Sequence, residues 1–182
     1  IYTRVKLIKK PIWLDDFCRI YNQPYDYHIT LVQSRFIDEA EIPKLKEKVD
    51  KFFAELDINE HMIEVDFSIP IIDDEGVGES EACILINAKK NDELINLQKS
   101  LVELMSDYTE FFKPKLEEYE INFEPHITVA MDLNQTQFDK AKKDFKDNFQ
   151  CMGVVDEIIL SVVKEITLEE SKNPDNLTIY KL

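Results

Sequence analysis

The sequence predicts an α+β fold with mainly antiparallel or mixed sheets. Strand-like and helical stretches follow one another along the whole chain, in the order β-α-β-α-β-β-α-β-α-β-β. Two of the strands are joined as a hairpin. No linker, low-complexity tract or Pro/Gly-rich spacer divides the 182 residues, so residues 1–182 are read as one domain.

The elements follow from local pattern. Residues 2–9 alternate loosely, as a strand does. Pro11 opens a short helical piece through Tyr21, since proline suits a helix start. Tyr27–Gln33 is β-branched and apolar, a strand. Ile42, Leu45, Val49, Phe52, Phe53 and Leu56 recur at helical spacing over 38–56, with Asp38 as cap and Glu41 three positions on. Strands 62–71 and 82–88 flank an acidic turn over 73–80 that carries two glycines. Asn91 caps a helix marked by Leu94, Leu97, Leu101, Leu104 or Met105, and Tyr108, which must stop before Pro114. Strand 125–132, a helix over about 135–149, and strands near 153–164 and 176–181 complete the chain.

Composition narrows the function. Hydrophobic residues at 44% and aromatics at 10% suit a packed globular core. The 22 basic and 37 acidic side chains leave a net charge of −15. Such a surface repels long polyphosphate chains and anionic membranes, so neither long nucleic acid nor a membrane is expected as partner. A small nucleotide or a short RNA end in a local pocket is compatible. The glycines are Gly76, Gly78 and Gly153, too few for a phosphate-cradling G-x-x-x-x-G-K-[ST] or G-x-G-x-x-G loop. Cys18, Cys83 and Cys151 form no C-x-x-C pair and are read as buried free thiols of a reducing compartment. No apolar run reaches the ~18 residues of a membrane span. The start, Ile-Tyr-Thr-Arg-Val, lacks the apolar stretch of a signal peptide. A cytoplasmic location is expected.

One internal repeat stands out. Residues 25–32 are Tyr-Asp-Tyr-His-Ile-Thr-Leu-Val, and residues 123–130 are Phe-Glu-Pro-His-Ile-Thr-Val-Ala. Two of the three histidines thus sit in identical His-Ile-Thr triplets. On a strand, positions i and i+2 share a face. His28 and Thr30 therefore point one way, and Ile29 the other, toward the core. His126, Thr128 and Ile127 repeat the arrangement. Two such strands side by side would line a cleft with two imidazoles and two hydroxyls.

That set suits phosphodiester cleavage. One group must take a proton from the attacking oxygen, and another must give one to the leaving oxygen. Imidazole, titrating near pH 6.5, can do either at neutral pH. Hydroxyls can donate hydrogen bonds to the non-bridging phosphate oxygens as charge builds there. No metal or other cofactor is required. A zinc site is the competing reading: Asp26 and Glu124 share the strand face of the histidines, yet strand ligands for zinc usually need a His-x-His pair or a third convergent ligand, and threonine is a poor one. The two acids are read as orienting the rings or simply as solvated. His61 has no comparable partner and is assigned to the surface.

His-x-Thr on a strand, repeated about a hundred residues later in this element order, resembles the 2H phosphoesterase superfamily, which includes the 2′–5′ RNA ligase-like and cyclic phosphodiesterase proteins. The second copy, Phe-Glu-Pro-His-Ile-Thr-Val-Ala, is especially similar to that family's second motif. The resemblance implies a bilobal, pseudo-two-fold α+β fold, with two mainly antiparallel sheets, flanking helices and a central cleft. It implies metal-independent cleavage or ligation at 2′-linked phosphates, with no cofactor. The substrate would be a small nucleotide or RNA end carrying a 2′,3′-cyclic or 2′–5′ phosphate. His28 and His126 would be the acid/base pair, in unassigned order, and Thr30 and Thr128 the phosphate binders. A basic residue often stands near the phosphate in the ligase-like branch. Arg35 and Arg4 are candidates, Arg35 being out of phase with His28. Tyr25 and Phe123 are candidates to stack a base, against packing as core or rim aromatics. Binding without turnover and 2′–5′ ligation are the alternative activities.

Overall fold

The structure, a computed structural model, describes residues 1–21, 26–56, 62–74, 82–146 and 148–182. Two antiparallel sheets carry the architecture. The first has four strands in the order β3-β1-β8-β9, with β1 Tyr2–Arg4, β3 His28–Thr30, β8 Glu157–Ser161 and β9 Leu177–Lys181. The second has five in the order β2-β7-β4-β5-β6: β2 Lys6–Lys9, β4 Ile63–Asp73, β5 Ala82–Ala88, β6 His126–Leu133 and β7 Cys151–Val155.

The sheets are joined by two crossing points. The stretch read as one strand over 2–9 breaks at Val5, which sends β1 into the first sheet and β2 into the second. The stretch read as 153–164 breaks likewise at Asp156, between β7 and β8. The breaks lie together, since β2 pairs with β7 and β1 with β8, and Lys6 forms an ion pair with Asp156. Gly153 makes the crossing possible. A Cβ at that position would run into Val5 Cγ1 and crowd Phe67 Cε2 at 3.2 Å.

Among the described residues, six α-helices flank the sheets. α1 (Leu14–Ile20) and α5 (Gln135–Asp144) contact β6. They bring Phe17 together with Trp13 and Phe145 in edge-on ring contacts at 5.7 and 5.4 Å. α2 (Ile42–Glu55) meets β9, where Phe53 stacks on Tyr180 at 4.3 Å. α3 (Asp92–Leu104) begins at Asn91, whose side chain accepts from the Leu94 N–H at 2.9 Å, as the sequence suggests. The cap expected at Asp38 is different. No side-chain cap bond forms there, and a 3₁₀ turn, Glu39–Glu41, precedes the helix. The capping box lies instead at Asn134 and Gln137, where α5 starts.

Several elements end early. α5 stops at Asp144 rather than 149, and β3 is three residues long. α3 stops at Leu104, well before Pro114, and the chain leaves through a turn at 105–107. Two short helices, α4 (Lys115–Ile121) and α6 (Leu168–Lys172), have no counterpart in the sequence reading. At seven and five residues they are too short to show a period or to be stable alone, so tertiary packing decides them.

Candidate active site

The two His-Ile-Thr triplets lie on edge strands, β3 of the first sheet and β6 of the second. These edges contact one another between the sheets. Strand alternation sets the side chains as expected. Ile29 and Ile127 are buried in the core, worth about 1.5–3 kcal/mol each, while His28, Thr30, His126 and Thr128 are half-buried.

The neighbouring strands repeat the symmetry. On β1, Arg4 lies opposite His28, Thr3 opposite Ile29 and Tyr2 opposite Thr30. On β5, Asn87 lies opposite His126, Ile86 opposite Ile127 and Leu85 opposite Thr128. The residue before each histidine extends the ladder: Tyr27 O accepts from Val5 N–H at 2.7 Å, and Pro125 O from Ala88 N–H at 2.8 Å.

Both rings are held the same way. His28 Nδ1 donates to Asp26 O at 2.9 Å, and His126 Nδ1 to Glu124 O at 2.9 Å. A carbonyl can only accept, so each Nδ1 carries a proton and the exchangeable one resides at Nε2. The acid two places before each histidine thus orients the ring through its main chain, not its carboxylate. The carboxylates turn to the residue facing the histidine across the ladder: Glu124 Oε2 accepts from Asn87 Nδ2 at 2.9 Å, and Asp26 Oδ2 stands 4.0 Å from Arg4 Nε. This accounts for the acid in both octapeptides.

The two halves differ in charge. Arg4 occupies the position beside His28 that neutral Asn87 occupies beside His126. Arg4 Nη1 donates to buried Glu157 at 3.0 Å, and Lys181 bonds the other oxygen of that carboxylate. Burial holds the His126 imidazole below its ordinary pKa of 6.5, and nearby His28 lowers it further, against the raising effect of the Glu124 carbonyl. Burial pushes the thiols the other way, Cys18 and Cys151 to about 11 and Cys83 to about 12. None is a thiolate nucleophile at neutral pH.

His28, Thr30 and Thr128 line a cavity of about 1310 Å³, which Tyr2 and Arg4 also border. Arg4 thereby stands on the wall of the same cavity as the two threonines. Arg35 also lines this cavity, with most of its guanidinium engaged by other groups. It is 5% exposed, ion-paired to Glu120 at 6%, and donates to Met105 O and Tyr108 O. Phe123 is half-buried and packs against the core. Tyr25 and His61 lie outside the described residues. Tyr2 and Asn87 were missed. The alternation of β1 around buried Thr3 could have flagged Tyr2, but nothing in the sequence reveals the register that places Asn87 opposite His126.

Among the described residues, no group of three His, Cys, Asp or Glu side chains could hold a metal ion. Among them too, no helix is long and apolar enough to cross a membrane. Compared with curated proteins, the chain has no match. The model of the 2'-5' RNA ligase superfamily matches residues 19–165, a span that includes both His-Ile-Thr strands. The chain belongs to the 2'-5' RNA ligase superfamily.

Proposed function

We propose that this protein is a metal-independent phosphodiesterase that hydrolyses 2′,3′-cyclic phosphate or 2′–5′ phosphodiester bonds in RNA ends or small nucleotides. The observation that carries the reading is the matched pair of imidazoles, each with Nδ1 tied to a main-chain carbonyl and each with a threonine two residues on. Fixed rings with the exchangeable proton at Nε2 are suited to proton transfer. Burial biases His126 toward the neutral form, which makes it the base. His28 is the acid.

On a cyclic phosphate, His126 takes a proton from water as its oxygen bonds to phosphorus. The P–O bond to one ribose oxygen breaks, and His28 delivers a proton to that oxygen. The product is a phosphomonoester, and the two rings have exchanged protonation states. Thr30, Thr128 and Arg4 hold the non-bridging oxygens as negative charge grows. Membership of the 2'-5' RNA ligase superfamily supports RNA or nucleotide substrates. The net charge of −15 favours a short one.

A panel of 2′,3′-cyclic and 2′–5′-linked nucleotides, assayed with EDTA present, tests this. Turnover that survives the chelator and follows a bell-shaped pH profile is expected. Turnover that appears only on adding a divalent metal would refute the reading.

A further inference from the structure

A row of four side chains crosses the whole first sheet. It runs from His28 on β3 through Arg4 on β1 and Glu157 on β8 to Lys181 on β9. His28 lies opposite Arg4, and Glu157 opposite Lys181. Partners across an antiparallel ladder share a face of the sheet. The middle link is a hydrogen bond, Arg4 Nη1 donating to Glu157 Oε1 at 3.0 Å. The row therefore starts on the cavity wall, which His28 and Arg4 both line, and ends on the far edge strand. Glu157 and Lys181 are not among the described residues that line the cavity.

Glu157 is an uneconomical choice for packing. Its side chain is 7% exposed, and a carboxylate taken out of water is costly unless it is paired. The next three residues of β8, Ile158, Ile159 and Leu160, are buried and apolar. For stability alone an apolar side chain at 157 would serve as well. Burial works to raise the Glu157 pKa, yet the bonds and charges of Lys181 and Arg4 outweigh it and hold the group below its ordinary value. It is an anion at neutral pH.

Its two oxygens are divided between the two cations. Oε1 accepts from Arg4 and Oε2 from Lys181. With Oε2 taken, the guanidinium does not close a two-bond fork on the carboxylate. It is gripped through one nitrogen, and its side chain stays 35% exposed. On the other side, Arg4 Nε stands 4.0 Å from the carboxylate of Asp26, whose carbonyl holds the His28 ring. A long, flexible arm on the cavity wall is thus tethered without being withdrawn.

We propose that Glu157 and Lys181 are positioning residues of the site: Glu157 fixes the Arg4 guanidinium beside His28, and Lys181, by taking the second carboxylate oxygen, keeps Arg4 turned toward the cavity rather than folded back onto Glu157. Arg4 meets the phosphate as in the phosphodiesterase reading, on which this role rests. A guanidinium already fixed binds a phosphate oxygen without first giving up its own rotamer freedom.

Equilibrium titration of 2′-AMP into the wild type, Glu157→Gln, Arg4→Ala and the double variant tests this without requiring turnover. Removing a negative charge near an anion site would, by electrostatics alone, tighten binding. Loss of positioning does the opposite, and Glu157→Gln should bind 2′-AMP ~3–100-fold more weakly. In the Arg4→Ala background the same substitution should change affinity by less than about twofold, because the arm it positions is gone. Lys181 is 68% exposed, so Lys181→Met keeps the fold and serves where Glu157→Gln does not. It should weaken binding in the same Arg4-dependent way, and Lys181→Arg should bind as the wild type does. NMR relaxation of the Arg4 Nε–H in the ligand-free protein should show a rigid group in the wild type and a mobile one in Glu157→Gln. Unchanged or tighter binding in Glu157→Gln overturns the proposal, as does a loss of equal size with and without Arg4, or an Arg4 Nε–H equally mobile in both proteins. Turnover of a 2′,3′-cyclic nucleotide is followed in parallel. An Arg4-dependent loss of binding with no turnover in the wild type sinks the phosphodiesterase and leaves the positioning role standing; turnover with binding indifferent to Glu157 does the reverse.

Discussion

His28 and His126 stand in equivalent positions on two different sheets, each donating Nδ1–H to the carbonyl two residues earlier at 2.9 Å. They are close enough for the charge of one to alter the titration of the other. The equivalence holds in the main chain around the histidines and fails in the side chains beside them. Arg4 faces one ring and Asn87 the other. A repeated scaffold thus carries unlike neighbours at its two histidines, an asymmetry that suits the proposed acceptor and donor roles.

The asymmetry has a titration signature. Burial, then the neighbouring His28, lower the His126 pKa below 6.5. An NMR titration of the His126 Cε1–H should give a midpoint below that value. In His28→Ala the midpoint should rise but stay below ordinary, since burial persists. A midpoint at or above 6.5, or one unmoved in the variant, contradicts the arrangement. The linked effect on stability has a definite sign. The unfolded chain accepts the proton near 6.5 while the folded state resists it. Stability from this group is therefore full above that pH, falls as pH drops below it, and levels off under the folded pKa.

The Arg35–Glu120 pair is a structural clamp, with both side chains nearly excluded from water. Glu120→Ala leaves a buried guanidinium without its counter-charge and should cost about 3–5 kcal/mol in urea unfolding. Replacing both partners by apolar residues, Arg35→Met with Glu120→Leu, should restore much of it. A loss under about 1 kcal/mol in Glu120→Ala would show that water reaches the site.

Gly153→Ala tests the crossing between the sheets. The added methyl meets Val5 Cγ1, with Phe67 Cε2 and Leu7 Cδ2 within 3.3 Å, so the cost should be about 1–3 kcal/mol. Adding Val5→Ala should relieve part of the strain. An unchanged urea midpoint in Gly153→Ala would mean that the strands part without cost.

What could be read from the sequence was local. The phase of His28 against Ile29 follows from the two-residue repeat of a strand, and the Asn91 cap from its own side chain. The break at Val5 could not be read, because residues 2–9 alternate only loosely and the break comes from β7 and β8, some 150 residues away. The partner of Arg35 is likewise 85 residues distant, so the ion pair that engages it is not legible locally. The acids at 26 and 124 were seen, but their use of main-chain carbonyls on the rings depends on backbone geometry that composition does not carry.

The proposed reaction divides one proton-transfer task between two imidazoles. It is tested most directly by the turnover of His28→Ala and His126→Ala on a 2′–5′-linked dinucleotide and a 2′,3′-cyclic nucleotide, with EDTA present. Each variant should lose ~10²–10⁴-fold while keeping the wild-type urea midpoint at pH 8, with smaller losses in Thr30→Ala and Thr128→Ala. Near-full activity in either histidine variant would contradict the account.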